Sequence, residues 1–393
     1  MFSHRTAWDL ALTPFARAIE EHRGSGRELL DLAESNPTRV GLTYAGSEIL
    51  PALAHQRALE YSPDPKGLIH ARSAVAEYYA ERLPASSAVD AENIFLTTST
   101  SEAYTFIFRL LCDTGDELLV PTPSYPLFEF LAGLQDLTLR TYPLLYDHGW
   151  HIDLHSLARS ITSSTRAILV VNPNNPTGSY VREAELAQLN KLCADHDLAL
   201  VSDEVFLDYN HNNQPTVTLA ANQAILTFSL SGISKICALP QMKLAWAVVS
   251  GPSALVRAAR ERLEVISDTY LSMNAPIQWA APILLAQRHS IRDQLMARIR
   301  QNVAELDRQL AAQDLCTRLE VEAAWYAILR VPATRSDEDL AIGLLKDCDV
   351  LVHPGHFYGF ASDGSLVLSL IPPPARFSEA LRRILRQISV YSK

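Results

Sequence analysis

Ser229-Leu-Ser-Gly-Ile-Ser-Lys-Ile-Cys-Ala-Leu-Pro-Gln-Met-Lys-Leu-Ala-Trp246 places one cation at the end of a long uncharged run. No Asp, Glu, Lys or Arg occurs from Tyr209 to Ser234, and then Lys235 appears. Small residues precede it (Ser231, Gly232, Ser234) and an apolar turn, Ile236 to Pro240, follows. Neighbours that strip an amine of water lower its pKa and make it a nucleophile toward carbonyls. By residue type alone, a lysine at the end of a strand is as often an ordinary surface charge. Polar stations earlier in the chain decide between the two.

Three such stations exist. Val171-Asn-Pro-Asn-Asn-Pro-Thr-Gly178 leaves an apolar run and turns, and its two prolines fix stacked amides rigidly at a strand's end. Ser202-Asp-Glu-Val-Phe206 likewise leaves the run Leu198–Val201, where Asp203 either caps the next turn or faces a ligand. Thr97-Thr-Ser-Thr-Ser-Glu102 joins a strand to a helix. Hydroxyls (Ser99, Thr100, Ser101) with free N–H groups at a helix N-terminus make an anion seat suited to phosphate.

Around these stations the pattern alternates between strand and helix. Strands are expected at Ile94–Thr97, Glu117–Val120, Leu137–Tyr142, Ala167–Val171, Leu198–Val201, Ala224–Phe228 and Leu244–Ser250. Helices are expected at Phe15–His22, Leu68–Leu83, Ser101–Cys112, Leu127–Leu134, Leu154–Ile161 and Glu183–His196. Short apolar runs with polar C-terminal ends describe an α/β fold with a mostly parallel sheet covered on both faces. Ligands bind such sheets at the C-terminal ends of the strands. Past Gly251 the alternation stops. Pro252–Val265 and Pro276–Gln313 read as helices, the second a broken bridge between domains. Strands at Leu319–Val331, Val350–His353 and Leu366–Leu370, with helices Asp337–Lys346 and Phe377–Val390, form a small α+β unit. The expected division is a large domain at 46–265 and a small one made of 1–45 and 266–393.

Composition narrows the function classes. A net charge of −10 argues against nucleic acid or an anionic membrane as partner. The uncharged run is rich in Asn, Gln, Ser and Thr, which rules it out as a membrane span. Five cysteines lie far apart without a CxxC pair, which points to reduced thiols and no zinc site. With no basic start followed by an apolar segment, a cytoplasmic protein is expected.

Hydroxyls at a helix start, Asn175, Asp203 and Lys235, in that order, resemble the fold type I pyridoxal-phosphate enzymes, specifically the class I/II aminotransferases. The resemblance covers nearly the whole chain. It implies pyridoxal phosphate bound covalently through Lys235, with Asp203 on its ring nitrogen and Asn175 on its phenolic oxygen. It implies the phosphate on Ser99, Thr100 and Ser101, with Ser234 and Lys243 beside it. Tyr125, in Pro123-Ser-Tyr-Pro126, matches a residue that stacks on the ring. Tyr61 matches one that reaches the neighbouring subunit's phosphate, hence a homodimer. The substrates implied are an amino donor and a 2-oxo acid acceptor.

Three positions depart from that pattern. Lys243 stands where the family has a phosphate-binding arginine, and Phe206 where it has a tyrosine. Val367 stands where the family has the arginine that grips the substrate α-carboxylate, and no Lys or Arg occurs between Lys346 and Arg376. Arg5 is the preferred replacement, with Arg330 and Arg376 as alternatives. Asn36 and His356 are further substrate-side candidates. Two other functions compete with transamination: β-elimination or decarboxylation on the same cofactor, and reaction with amines that lack the α-carboxylate. A cofactor-sensing regulator is disfavoured, since the acidic chain has no basic patch for DNA.

Overall fold

Eight strands between Ile94 and Ser250 form one sheet. Their order is Ile94–Thr97, Ala245–Ser250, Thr227–Gly232, Ala199–Asp203, Thr165–Val171, Glu117–Thr122, Thr138–Tyr146, Trp150–Ile152. The computed structural model describes residues 1–212, 216–271 and 273–392. Part of the uncharged run, 213–215, lies outside the described residues.

The five strands from Thr227–Gly232 to Thr138–Tyr146 are parallel. Ala245–Ser250 is antiparallel to both its neighbours, so Ile94–Thr97 beyond it again runs with the five. Thr97, Thr122, Val171, Asp203 and Gly232 therefore all end on the same edge. Burial follows the two-residue period of a strand. Ile168, Val170 and Leu200 pack into one core, while Leu169, Val171, Val201, Phe228 and Leu230 pack into another. The second core is closed by Tyr104 and Phe108 of the helix Thr100–Leu111.

The expected elements appear with shifted ends. The strand expected at Ala224–Phe228 is Thr227–Gly232, which brings Gly232 to the sheet edge just before Lys235. Trp150–Ile152 was not anticipated: three residues pairing back on Thr138–Tyr146 are too short to show periodicity. The expected bridge Pro276–Gln313 is two helices, Ala275–Ala286 and Arg288–Leu310, meeting at Gln287.

A second, antiparallel sheet contains Thr317–Arg318, Tyr326–Arg330, Ser365–Ser369 and His353–Pro354. The expected strand at Leu319–Val331 survives only from Tyr326. Just before it, Ala324 turns with φ 70° and donates its N–H to the Tyr209 carbonyl at 3.0 Å, so the chain is drawn toward the large sheet. Among the described residues no helix is long and apolar enough to cross a membrane.

Candidate active site

The sheet edge that collects five strand ends also collects the polar stations. A cavity of about 230 Å³ is lined there by Ser99, Thr100, Ser101, Tyr125, Asn175, Asp203, Ser234 and Lys235, among others. Asn175 follows the strand Thr165–Val171, Asp203 ends Ala199–Asp203, and Lys235 sits one turn past Thr227–Gly232. These three strands are neighbours in the sheet, so residues 60 apart in sequence face one space.

Asp203 accepts a hydrogen bond from the Tyr104 hydroxyl at 3.0 Å and one from the Val205 N–H at 3.1 Å. Burial pushes its carboxyl up to about 6, against those bonds and the charge of Lys235. Burial likewise pushes the Lys235 amine down to about 8, with Asp203 opposing. The amine therefore reaches its nucleophilic form far nearer neutrality than a surface lysine does. The rings of Trp325 and Phe206 lie 4.9 and 5.5 Å from its Nζ.

The anion seat has a clear origin. Ser99 caps the helix Thr100–Leu111 by accepting from the Glu102 N–H at 3.2 Å. The Glu102 carboxylate turns back to the Thr98 N–H at 2.7 Å. In the first turn the Thr100 and Ser101 N–H groups have no intrahelical acceptor. Asn175 is buried, and its Oδ1 has no hydrogen-bond partner. An amide left open in a cavity is fitted to a ligand with a matching polar atom.

The structure does not bring the other candidates into this cavity. Lys243 is exposed on a left-handed turn, φ 55°, after Pro240–Met242. Tyr61 is 82% exposed and lines a separate cavity with Arg57 and Trp279. His356 is exposed, stacks edge-on against Phe357 and lines a neighbouring cavity that shares Tyr125. The Asn36 side-chain oxygen Oδ1 is spent on the Thr38 N–H and hydroxyl, while its neighbour Ser35 lines the site. Arg5 pairs with Asp136 at the surface, and Arg376 pairs with Glu28. Arg330 is exposed at a strand end. Val367 is buried between Ile328 and His353. Lys235 is the one cation among the described residues that line the cavity.

Against known proteins, the family model for aminotransferase class I and II matches residues 27–384. The chain belongs to that family. It is 25% identical over 377 residues to the glutamate-pyruvate aminotransferase AlaA of Haemophilus influenzae, covering 93% of this chain and 92% of that protein. It is 27% identical over 377 residues to an alanine aminotransferase of Mycobacterium tuberculosis, covering 91% and 85%. The alanine aminotransferase structure from Pyrococcus furiosus superposes with a TM-score of 0.89 at 21% identity, over 99% and 100% of the two chains. The fold is that of these enzymes. The protein is a pyridoxal-phosphate-dependent aminotransferase, an enzyme that moves an amino group between an amino acid and a 2-oxo acid.

Sequence reasoning missed several residues of this aminotransferase site. Tyr104 carried a signal, since it lies one helical turn beyond Thr100 and Ser101 and so shares their face. Phe128, Tyr326 and Ser35 line the cavity from distant segments and carried none.

Proposed function

We propose that this aminotransferase holds pyridoxal phosphate in the Lys235 cavity. The observation that carries the reading is the meeting of Lys235, Asp203 and Asn175 on three adjacent strand ends beside a helix N-terminus. When bound, the cofactor supplies an aldehyde carbon for an amine and a protonated ring that draws electrons from the substrate carbon. Lys235 offers the amine and, when unbonded, a base able to move a proton at the substrate's reacting carbon. Asp203 keeps a proton on a ring nitrogen by its charge. With its amide turned so that Nδ2 rather than Oδ1 faces the ligand, Asn175 donates to a phenolic oxygen. Thr100 and Ser101 receive a phosphate at the helix N-terminus, and Tyr125 covers a ring face. Ser234 adds a hydroxyl on the phosphate side. Tyr61, exposed as it is, reaches the site of a second copy, which makes the working form a homodimer. A cytoplasmic location completes the reading.

The test is a half-reaction. Amino acids are added singly to cofactor-loaded protein, and the absorbance change must be reversed by a 2-oxo acid. The names of the relatives make glutamate with pyruvate, and alanine, the first pairs to try. Release of pyruvate and ammonia from β-substituted amino acids would replace transamination by elimination.

A second reading has one observation in its favour: among the described residues no arginine lines the cavity. An unpaired carboxylate in a closed site is costly, so a substrate without one on its reacting carbon suits these walls. The same screen run with simple amines separates the two. Arg5 is unsuited to the carboxylate because Asp136 already holds its guanidinium. Arg5→Ala is therefore expected to change kcat/KM for amino acids by less than about threefold, as for most exposed ion pairs. A larger loss restores Arg5 to the site.

Phe206 lines the cavity with no polar atom on its ring. In Phe206→Tyr a phenol donating to the cofactor's phenolic oxygen would favour the anionic form of that oxygen. The pH midpoint of the bound cofactor's colour change is expected to fall. A rise or no change would count against this placement of Phe206.

A further inference from the structure

Trp325 is fully buried, and its ring centre lies 4.9 Å from Lys235 Nζ. Phe206 and Tyr209 meet the indole edge to face, at 5.2 and 5.1 Å. Tyr209 also donates its hydroxyl to the Lys235 carbonyl at 2.6 Å. One aromatic group thus holds the lysine at both its backbone and its amine.

The indole N–H of Trp325 is buried without a hydrogen-bond partner. A buried indole ordinarily finds one, so its surroundings secure the position of the ring. They do so from three sides. The preceding residue, Ala324, has a left-handed backbone that a residue with a Cβ rarely adopts, and bonds to Tyr209 and His211 hold it. The Trp325 carbonyl accepts from the Leu370 N–H at 2.7 Å. A Cβ on Gly178 would stand 2.4 Å from the Ala323 carbonyl oxygen, so the Asn175–Gly178 turn closes on the same segment.

We propose that Trp325 is a positioning residue for Lys235: its ring face seats the ammonium while the amine is unbonded, holding Nζ at the cavity that Asp203 also lines. The proposal rests on the reading of Lys235 as the reacting amine. A cation over an indole face is attracted by the ring quadrupole, most strongly where water is excluded. The other groups facing the lysine are few. Asp203 supplies the opposing charge, the Tyr104 hydroxyl bonds to Asp203, and the Tyr209 hydroxyl is committed to the Lys235 carbonyl. Tyr326 lines the same cavity from the small sheet. Burial disfavours the ammonium, whereas Asp203, the indole and the more distant Phe206 ring, 5.5 Å from Nζ, favour it.

The test uses the full chain freed of cofactor. An amine-directed arylating reagent is applied across the pH range, and labelling of Lys235 is followed by peptide mapping. Trp325→Leu removes the ring face but keeps an apolar side chain. Its labelling midpoint is expected to fall by about half to one and a half pH units, which is about three- to thirtyfold more reactive amine below the midpoint. Trp325→Phe shifts the same way by less, since a benzene ring is the weaker seat. An unmoved or raised midpoint overturns the proposal, because an indole that merely fills space would, once removed, admit water and raise it. Should the leucine variant fail to fold, the indole emission of the wild type decides. It is expected to change with the Lys235 midpoint and to lose that change in Lys235→Met; a change that persists in full overturns the seat. Failure of borohydride to attach the cofactor at Lys235 would sink the underlying reading and leave these midpoints untouched.

Discussion

Lys235→Ala should lower kcat by about ten-thousandfold or more, the largest effect of any single substitution in this chain. Two functions are lost at once. The amine that condenses with an aldehyde is gone, and so is the base that moves the proton at the reacting carbon, a role alone worth about a hundred- to ten-thousandfold. No neighbour replaces it, because Lys235 is the one cation among the described residues lining the cavity. Tyr104 and Tyr326 are held as neutral phenols by burial, far above the range in which they serve as bases. Added small amines should restore part of the proton transfer. In the wild type, borohydride treatment of the loaded enzyme followed by peptide mapping should place the cofactor on Lys235. A variant that retains a tenth of wild-type activity, or a label on Lys243 or Lys66, would overturn the assignment.

The fold was legible because the runs at 94–97, 117–122, 165–171 and 199–203 are short, largely apolar and lead into polar residues. Lys235, Asp203 and Asn175 were legible for the same reason, since each lies at or within four residues of a strand's C-terminal end and strand ends share an edge. The candidates outside the cavity were of another kind. Arg5 was chosen because a carboxylate needs a cation, and nothing in its segment reveals that Asp136, 131 residues away, holds it. Lys243 was placed by its spacing from Lys235, which does not disclose the left-handed turn that leaves it exposed. Trp325 lies within the expected strand Leu319–Val331, and nothing in the sequence singled it out. Its place beside the lysine depends on bonds from Tyr209 and His211 to the segment before it, and local pattern says nothing about pairings of that separation.

Asp203→Asn should impair the enzyme and stabilise the cofactor-free chain, and the two effects have one cause. The buried carboxylate is needed as a charge beside the cofactor ring, so its removal is expected to cost about a hundred- to a thousandfold in kcat, as for other lost electrostatic groups. Cofactor binding should suffer much less. Without the cofactor, that same charge is a burden. The Asp203 carboxyl is raised from 3.8 to about 6 by burial. Below about pH 4 it is protonated in both the folded and unfolded chain, and asparagine differs little from it. Between about pH 4 and 6 the unfolded chain releases the proton while the folded one keeps it, so rising pH favours unfolding. Above about 6 the cost is complete, up to about 3 kcal/mol for a shift of this size. Glu204, pushed up to about 7 by burial, works in the same direction but is present in both proteins and cancels in the comparison. Tm measured on the two cofactor-free proteins should therefore coincide near pH 4 and diverge toward pH 7, with the asparagine variant the more stable. A wild type that is the more stable at pH 7 would mean that the Lys235 ammonium outweighs burial in setting the state of Asp203, and the carboxylate would then be at ease in its pocket before any cofactor arrives.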